Sequence, residues 1–456
     1  MGAPVRTIRK DMTKGPILSH VLRMAIPMII GIGSIISFTI VDTYFISLLG
    51  GDELAAIGFT APVTTFLFNV TFGFAIAMSA VISRVSGAKQ TDQIRHTISV
   101  GIALTIGVTA TVGLIGYLFL DPIFRGLGAS DDILILVREY MPLWFVSSVF
   151  LAVPMVANAA MRGVGNAFWP SVVMVSFAII NAILDPMFIF GYGIIPAFGI
   201  KGAAIASVFA ASIACLMAFY ILAIRENLLS LKCLLEKSVW GKASRTLLVI
   251  AIPVSLGSLI LPIVSYIYTG FLADIGNTAV AAFGVVTRLE AFILIPIMAI
   301  AGGMAPLIGQ NYGAGAYDRI LKALSQASVF IACYAIISGV VAFIAATYLA
   351  NIFSNSHETG IFIRDYMMIV PLSYIGLYFF AMLGSVLNAL NRAKEGLYLM
   401  IIRSFAIAVP IAAYLTHTHG ENGFLWSIVI TNGLALLMAV AYLQSIRCAL
   451  RSKSLS

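Results

Sequence analysis

The stretch "FTIVDTYFISLLGG" places Asp42 inside an apolar run long enough to cross a membrane. A second run, "NAILDPMFIFG", does the same with Asp185. An aspartate at the centre of a membrane helix costs about 2.5–3.5 kcal/mol on insertion scales, so such residues are usually functional. Asn181 precedes Asp185 by one helical turn and shares its face. Pro186 follows Asp185 and leaves the carbonyl of Ala182 without its helical donor. Two carboxylates, an amide and a freed carbonyl suit a proton relay or a small hard cation such as Na⁺. The alternative is that neighbouring hydroxyls simply satisfy each aspartate. Pro27, with Gly31 and Gly33 behind it, marks a candidate hinge in the first apolar run. The other reading of Pro27 is a tolerated first-turn proline.

The chain that positions these groups has 456 residues, of which 61% are hydrophobic and 10% charged. Soluble domains carry roughly 25% charged residues, so this composition implies an integral membrane protein. Its net charge of +8 is read as loop topology rather than nucleic-acid binding. Four dispersed cysteines give no disulfide framework or metal-ligand spacing. "HTHGE" (His417–Glu421) reads as a solvated outer loop. "GVGNAF" and "GQNYGAGAYD" read as tight turns rather than phosphate loops. With no nucleotide site, no cofactor is expected and an ion gradient is the energy source.

Twelve spans are predicted, near 17–49, 54–83, 94–120, 133–161, 168–191, 200–224, 245–275, 279–309, 320–350, 361–390, 395–416 and 424–446. On that assignment 22 Lys and Arg, Arg403 among them, fall on the side of the termini and four on the other. Both termini are therefore expected in the cytoplasm. Arg288 and Glu290 lie within span 8 and are expected to offset each other or nearby polar groups.

Sliding the chain by 226 residues lays "AIPMIIG" over "AIPVSLG" and gives 18 identities in 71 positions across residues 25–95. The expected fold is all-α: 12 transmembrane helices in two six-helix bundles related by a pseudo-two-fold axis along the membrane normal. The boundaries are 1–224 for the first bundle, 225–244 for a cytoplasmic linker and 245–456 for the second bundle. Two facing bundles with a cavity between them imply alternating access. In this register Asp42 meets Tyr268 and Asp185 meets Ile411. The scaffold itself therefore does not require the two acids.

The repeats, "VDTYFISLLGGDELAAIGF", "MRGVGN", "NAILDPMFIFG" and "GIKGAAIAS" resemble the multidrug and toxic compound extrusion (MATE) family. The resemblance implies export of organic, often cationic or amphipathic, compounds in exchange for H⁺ or Na⁺. The stretches "IPVSLGSLILPIVSYIYTGF" of span 7 and "YIGLYFFAMLGSVLNAL" of span 10 hold no carboxylate, which is similar to the DinF-like branch, whose coupling site lies in the first bundle. It implies ion-coupling roles for Asp42, Asp185, Asn181, Ser207, Tyr140 and Asn158, a bend at Pro27, and Met174 at the substrate cavity. Ser207 stands where the family usually has threonine. Asn158 fits poorly in depth, one turn before Arg162 near the inner end of span 4. A monomer in the bacterial inner membrane is expected, with small-molecule partners, a lipid surround and no nucleic acid. A flippase for lipid-linked precursors is the alternative; it would need several bases in its cavity, and Arg288 is almost the only one read within a span. An enzyme would need clustered His, Asp or Cys at one depth, which the chain lacks.

Overall fold

A computed structural model describes residues 11–230, 236–354 and 356–455. The basic arm before residue 11, and Lys232 and Cys233 of the linker, lie outside the described residues. Among those described, the chain is all helix, with one isolated bridge between Tyr192 and Ile195.

The first six spans are α1 (Ile17–Ser47), α2 (Gly51–Gly87), α3 (Thr91–Leu118), α5 (Asp131–Gly163), α6 (Phe168–Ile189) and α7 (Ile200–Tyr220), the last continued by a π turn over Ile221–Arg225. A short α4 (Leu120–Gly126) caps one end. The second set is α8 (Lys237–Ala273), α9 (Asn277–Gly313), α10 (Tyr317–Phe353), α11 (His357–Ile369) joined to α12 (Tyr374–Ala389), then α13 (Ala393–Ile401), a π segment (Ile402–Ala408) and α14 (Val409–Leu455). Eleven stretches are long and apolar enough to cross a membrane, and one of them, Ala393–Ser454, has 62 residues. At 1.5 Å per residue that is roughly 93 Å, about three bilayer cores. The backbone breaks it at Gly420 (φ 59°, ψ −138°), which yields the twelfth span. "HTHGE" is therefore not a loop: the helix runs to His419 and turns at Gly420.

The 226-residue register extends well past residue 95. Helices α1 and α8 end at Ser47 and Ala273, α2 and α9 at Gly87 and Gly313, and α5 and α12 at Gly163 and Ala389. Both sharp turns also repeat. Lys89 (φ 58°) corresponds to Gly315 (φ 71°), and Gly165 (φ 87°) to Asn391 (φ 66°). Gly199 (φ 57°, ψ −137°), opening α7, matches Gly420 at a shift of 221, so the second repeat is five residues shorter there. Three residues after each comes a close approach. Gly202 packs its Cα against the carbonyl of Phe188, and Gly423 does so against that of Leu415.

The described residues divide into two compact units, residue 11 with those of 23–255, and residues 12–22 with those of 256–455. In the first unit α5 is the axis, packed most extensively on α2 and α7. Its inner stretch carries Ala152, Ala157, Ala159 and Ala160, all fully buried. Small side chains let helix backbones approach closely, which drives packing where lipid offers no hydrophobic gain. In the second unit α12 packs on α14 and α10 on α11. The segment before α1 docks there: Met12 N–H donates to Gln310 Oε1 (3.1 Å), and Asn311 Nδ2 and Arg319 Nη2 both donate to Met12 O (3.2 Å each).

Gly202→Ala and Gly423→Ala each drive a Cβ into a backbone carbonyl that cannot rotate away. Each should lose about 1–3 kcal/mol of stability, read as a lowered thermal midpoint of detergent-purified protein. Gly33→Ala, with open space around the new Cβ, should leave the midpoint unchanged.

Candidate functional site

Four helices of the first unit deliver the site. At the end of this unit that carries the α1–α2 and α6–α7 connections, Asp42 lies five residues from the end of α1 and Asp185 four from the end of α6. Asn181 is eight residues from that end of α6, Ser207 seven along α7, and Tyr140 nine along α5. At 1.5 Å per residue all five fall about 6–14 Å inside the same end. Asp185 and Asn181 are completely buried, Ser207 and Tyr140 nearly so, and Asp42 is half-buried. The Tyr140 hydroxyl lies in the electrostatic field of both aspartates, and the aspartates in each other's.

The hydrogen-bond inventory gives the site its character. Asn181 Nδ2 donates to Ser207 Oγ (3.4 Å). Asp42 Oδ1, Asp185 Oδ1, Asp185 Oδ2 and Asn181 Oδ1 are buried with no partner. Among the described residues no Lys or Arg pairs with either acid, since the four ion pairs lie elsewhere. Every orphan is an oxygen acceptor. The hydroxyl alternative for the aspartates is not what the structure contains. Buried acceptors without donors are rare and costly. Oxygen-only groups of this kind can hold a proton or a hard cation. No cluster of three or more His, Cys, Asp or Glu occurs among the described residues, so a transition-metal centre has no ligand set.

Pro27 is the eleventh residue of α1, not a first-turn residue, and α1 is continuous through it. Ser171 Oγ on α6 donates to Pro27 O (2.5 Å) and also to Ala167 O (3.0 Å). A Cβ built on Gly31 would lie 3.0 Å from Met174 Sδ. Met174 therefore packs over the α1 glycine, and Pro27, Gly31, Ser171 and Met174 form one α1–α6 contact. Asn158 does not join the acids. It is 18 residues, roughly 27 Å, along α5 from Tyr140, and its Oδ1 is separately unpartnered.

Sequence reasoning missed a second cluster, in the second unit. Arg403 is not a loop charge. It sits ten residues after the start of α13, in the π segment, with its guanidinium over the Phe380 ring (5.1 Å) and Nη2 donating to Asn432 Oδ1 (3.4 Å). Arg288 is exposed and does not offset Glu290. Residues two apart on a helix face different ways. Glu290 Oε2 instead accepts from the Tyr366 hydroxyl (3.5 Å). The available signal was position: Arg403 lies deep inside the apolar run "GLYLMIIRSFAIAVPIAAYL".

The MatE family profile matches residues 27–187 and 253–414, two segments that begin 226 residues apart. The chain belongs to the MATE family of transporters. It is 34% identical over 436 residues, 95% of both chains, to a protein of Shewanella oneidensis named FAD transporter. It is 28% identical over 445 residues, again 95% of both, to the multidrug export protein MepA of Staphylococcus aureus. Its fold matches the crystal structure of an aspartate-to-asparagine mutant of the Vibrio cholerae MATE transporter VcmN with TM-score 0.90 at 28% identity, covering 97% of this chain and 99% of that one. The bent form of VcmN matches with TM-score 0.89 at 29% identity over 99% of both. Like its family, this chain is a multi-pass membrane transporter and not an enzyme.

Asp185→Asn removes one of the two buried carboxylates and puts an amide donor among acceptors that lack one. It should raise the thermal midpoint at pH 8, a stabilisation of about 1 kcal/mol or more. A fall of several degrees would mean that the carboxylate is paired in the folded protein.

Proposed function

We propose that the chain is a secondary active exporter of small organic compounds, driven by antiport of a proton or Na⁺ at the Asp42–Asp185 site. The observation that carries this reading is the set of four unpartnered acceptor oxygens on Asp42, Asp185 and Asn181. An incoming ion satisfies them and cancels negative charge. Ser207 holds the Asn181 amide in place, and the Tyr140 hydroxyl stands beside both carboxylates as the group that can pass a proton between them. Proton coupling is the favoured form. The α1–α6 contact at Pro27 lets occupancy at one end of α1 be felt along the helix, and we take Pro27 as its hinge. Export then requires only that ion and substrate disfavour each other by roughly 1–3 kcal/mol.

We place the protein in the bacterial inner membrane with both termini cytoplasmic, which the distribution of Lys and Arg supports. Its first-unit coupling acids support the DinF-like branch. For substrate, multidrug export draws on the likeness to MepA. A second reading, export of a flavin nucleotide, draws on the likeness to the Shewanella oneidensis protein. The flippase alternative is weaker. Arg403 adds one base to those within the spans, but it faces Phe380 and Asn432 and forms no cradle of bases for pyrophosphate.

The test is transport by purified protein in liposomes, with ethidium or FAD as substrate and pH or Na⁺ gradients imposed separately. Wild type should transport under one gradient. Asp42→Asn and Asp185→Asn should each lose at least tenfold while remaining folded. Transport undiminished in both variants would refute the coupling assignment.

A further inference from the structure

The second unit holds a polar cluster that the coupling site does not use. Its members are Glu290 on α9, Tyr366 on α11, Tyr374 and Tyr378 on α12, and Arg403 in the π segment. The Glu290 carboxylate faces the hydroxyls of Tyr366 and Tyr374 and feels the charge of Arg403. Yet among the described residues the two charges form no ion pair within 4.0 Å. A separated acid and base at this depth are each costly, and the packing has not closed them together. Arg403 Nε is buried without an acceptor, while the hydroxyls of Tyr374 and Tyr378 make no hydrogen bond within 3.5 Å, Tyr374 lying toward Glu290 and Tyr366 and Tyr378 toward Ser338. The rest of Arg403 is held: Asn432 takes Nη2 and is itself fixed by donating Nδ2 to Ser373 Oγ (2.9 Å). The Nε edge is therefore presented in a set direction, with the face of Phe380 beneath the guanidinium.

The cluster thus offers unspent N–H and O–H donors, one carboxylate acceptor and aromatic faces. A simple cation would leave the Arg403 donors unspent and be repelled by the guanidinium. A simple anion would meet Glu290. A flat ring whose edge alternates C=O and N–H matches both at once. Its carbonyls can accept from Arg403 Nε and the tyrosine hydroxyls, and its N–H can donate to Glu290. Fixed planar donors of arginine suit that kind of edge, and an exact polar match rejects analogues lacking one hydrogen bond far more strongly than an apolar pocket rejects a missing methylene.

We propose that the Glu290–Arg403–tyrosine cluster is a recognition site for planar heteroaromatic substrates carrying an imide or lactam edge, of which the flavin ring is one. The inference rests on the export reading above and names a substrate class for it. Protonation of Glu290 leaves only a neutral carbonyl to accept the ring N–H, a weaker acceptor than the carboxylate, and so loosens the grip, the direction antiport requires. The cluster is peculiar to the second unit: in the repeat register Glu290 meets Thr64, and Arg403 falls opposite Phe177 or Ala178.

The decisive experiment compares lumiflavin, which has the ring edge and no phosphate, with 3-methyllumiflavin, which lacks the imide N–H. Binding to detergent-purified wild type is read by quenching of flavin fluorescence. The expected result is at least tenfold weaker binding of the methylated ring to wild type, and a similar loss of lumiflavin binding in Glu290→Gln and Arg403→Gln, with each variant's thermal midpoint read alongside to show that it is folded. FAD and FMN run alongside separate recognition of the ring from recognition of phosphate. Equal affinity for lumiflavin and its methyl derivative in wild type would overturn the proposal, and that comparison needs no variant to fold. Binding of FAD but not lumiflavin would also overturn it, by assigning recognition to phosphate. If wild type transports no probe under any gradient, it is the export reading that fails, whatever the binding result.

Discussion

A carboxylate buried without a donor is the constraint around which the first unit is organised. Asp185 is completely buried on a helix whose next residue is proline, and neither of its oxygens is satisfied by the protein. Asp42 and Asn181 add further acceptors to the same few ångströms of helix depth. Such groups are stable only in company with a proton or a cation from outside. The protein thus contains an incomplete hydrogen-bond set whose completion depends on an ion. That dependence is what a coupled transporter needs, because it ties a conformational preference to ion occupancy.

The two repeats share a scaffold and diverge in chemistry. Helix ends and left-handed turn residues coincide at a shift of 226 over most of the length, down to Lys89 with Gly315 and Gly165 with Asn391. Upon it the first unit places two acids and no partnering base, while the second places one acid and one base held apart. Tyr140 and Tyr366 occupy equivalent positions; Tyr140 lies in the field of Asp42 and Asp185 and Tyr366 donates to Glu290, so the carboxylates come from different helices. Duplication fixed the architecture and left each unit free to acquire its own polar groups.

Much of this was legible in the sequence, for physical reasons. Apolar runs of bilayer length and the lopsided Lys and Arg distribution gave the spans, and Gly420 resolves the one place where helix assignment merges two. Asp42, Asp185 and Asn181 could be named because charge and polarity are rare in such runs and stand out, whereas Ser207 and Tyr140 were implied only by the family resemblance. Asn158 entered through the family resemblance although its place one turn before Arg162 already set it at another depth, and α5 puts it 18 residues from Tyr140. Arg403 was missed because it was counted with the charges on the side of the termini although it lies eight residues inside the span read as 395–416, and Glu290 because adjacency in sequence suggested Arg288 as its partner when a helix turns them apart. Hydrogen-bond deficits are invisible in sequence altogether; only packing shows which oxygens are left without donors.

The most direct test of the central claim is ion release on substrate binding. Ethidium or FAD would be added to lightly buffered, purified protein, and released protons counted, with radioactive Na⁺ release followed in a parallel sample. The account predicts that substrate displaces an ion from wild type and none from the Asp42→Asn, Asp185→Asn double variant. Equal release from both proteins would place the coupling ion elsewhere and contradict it.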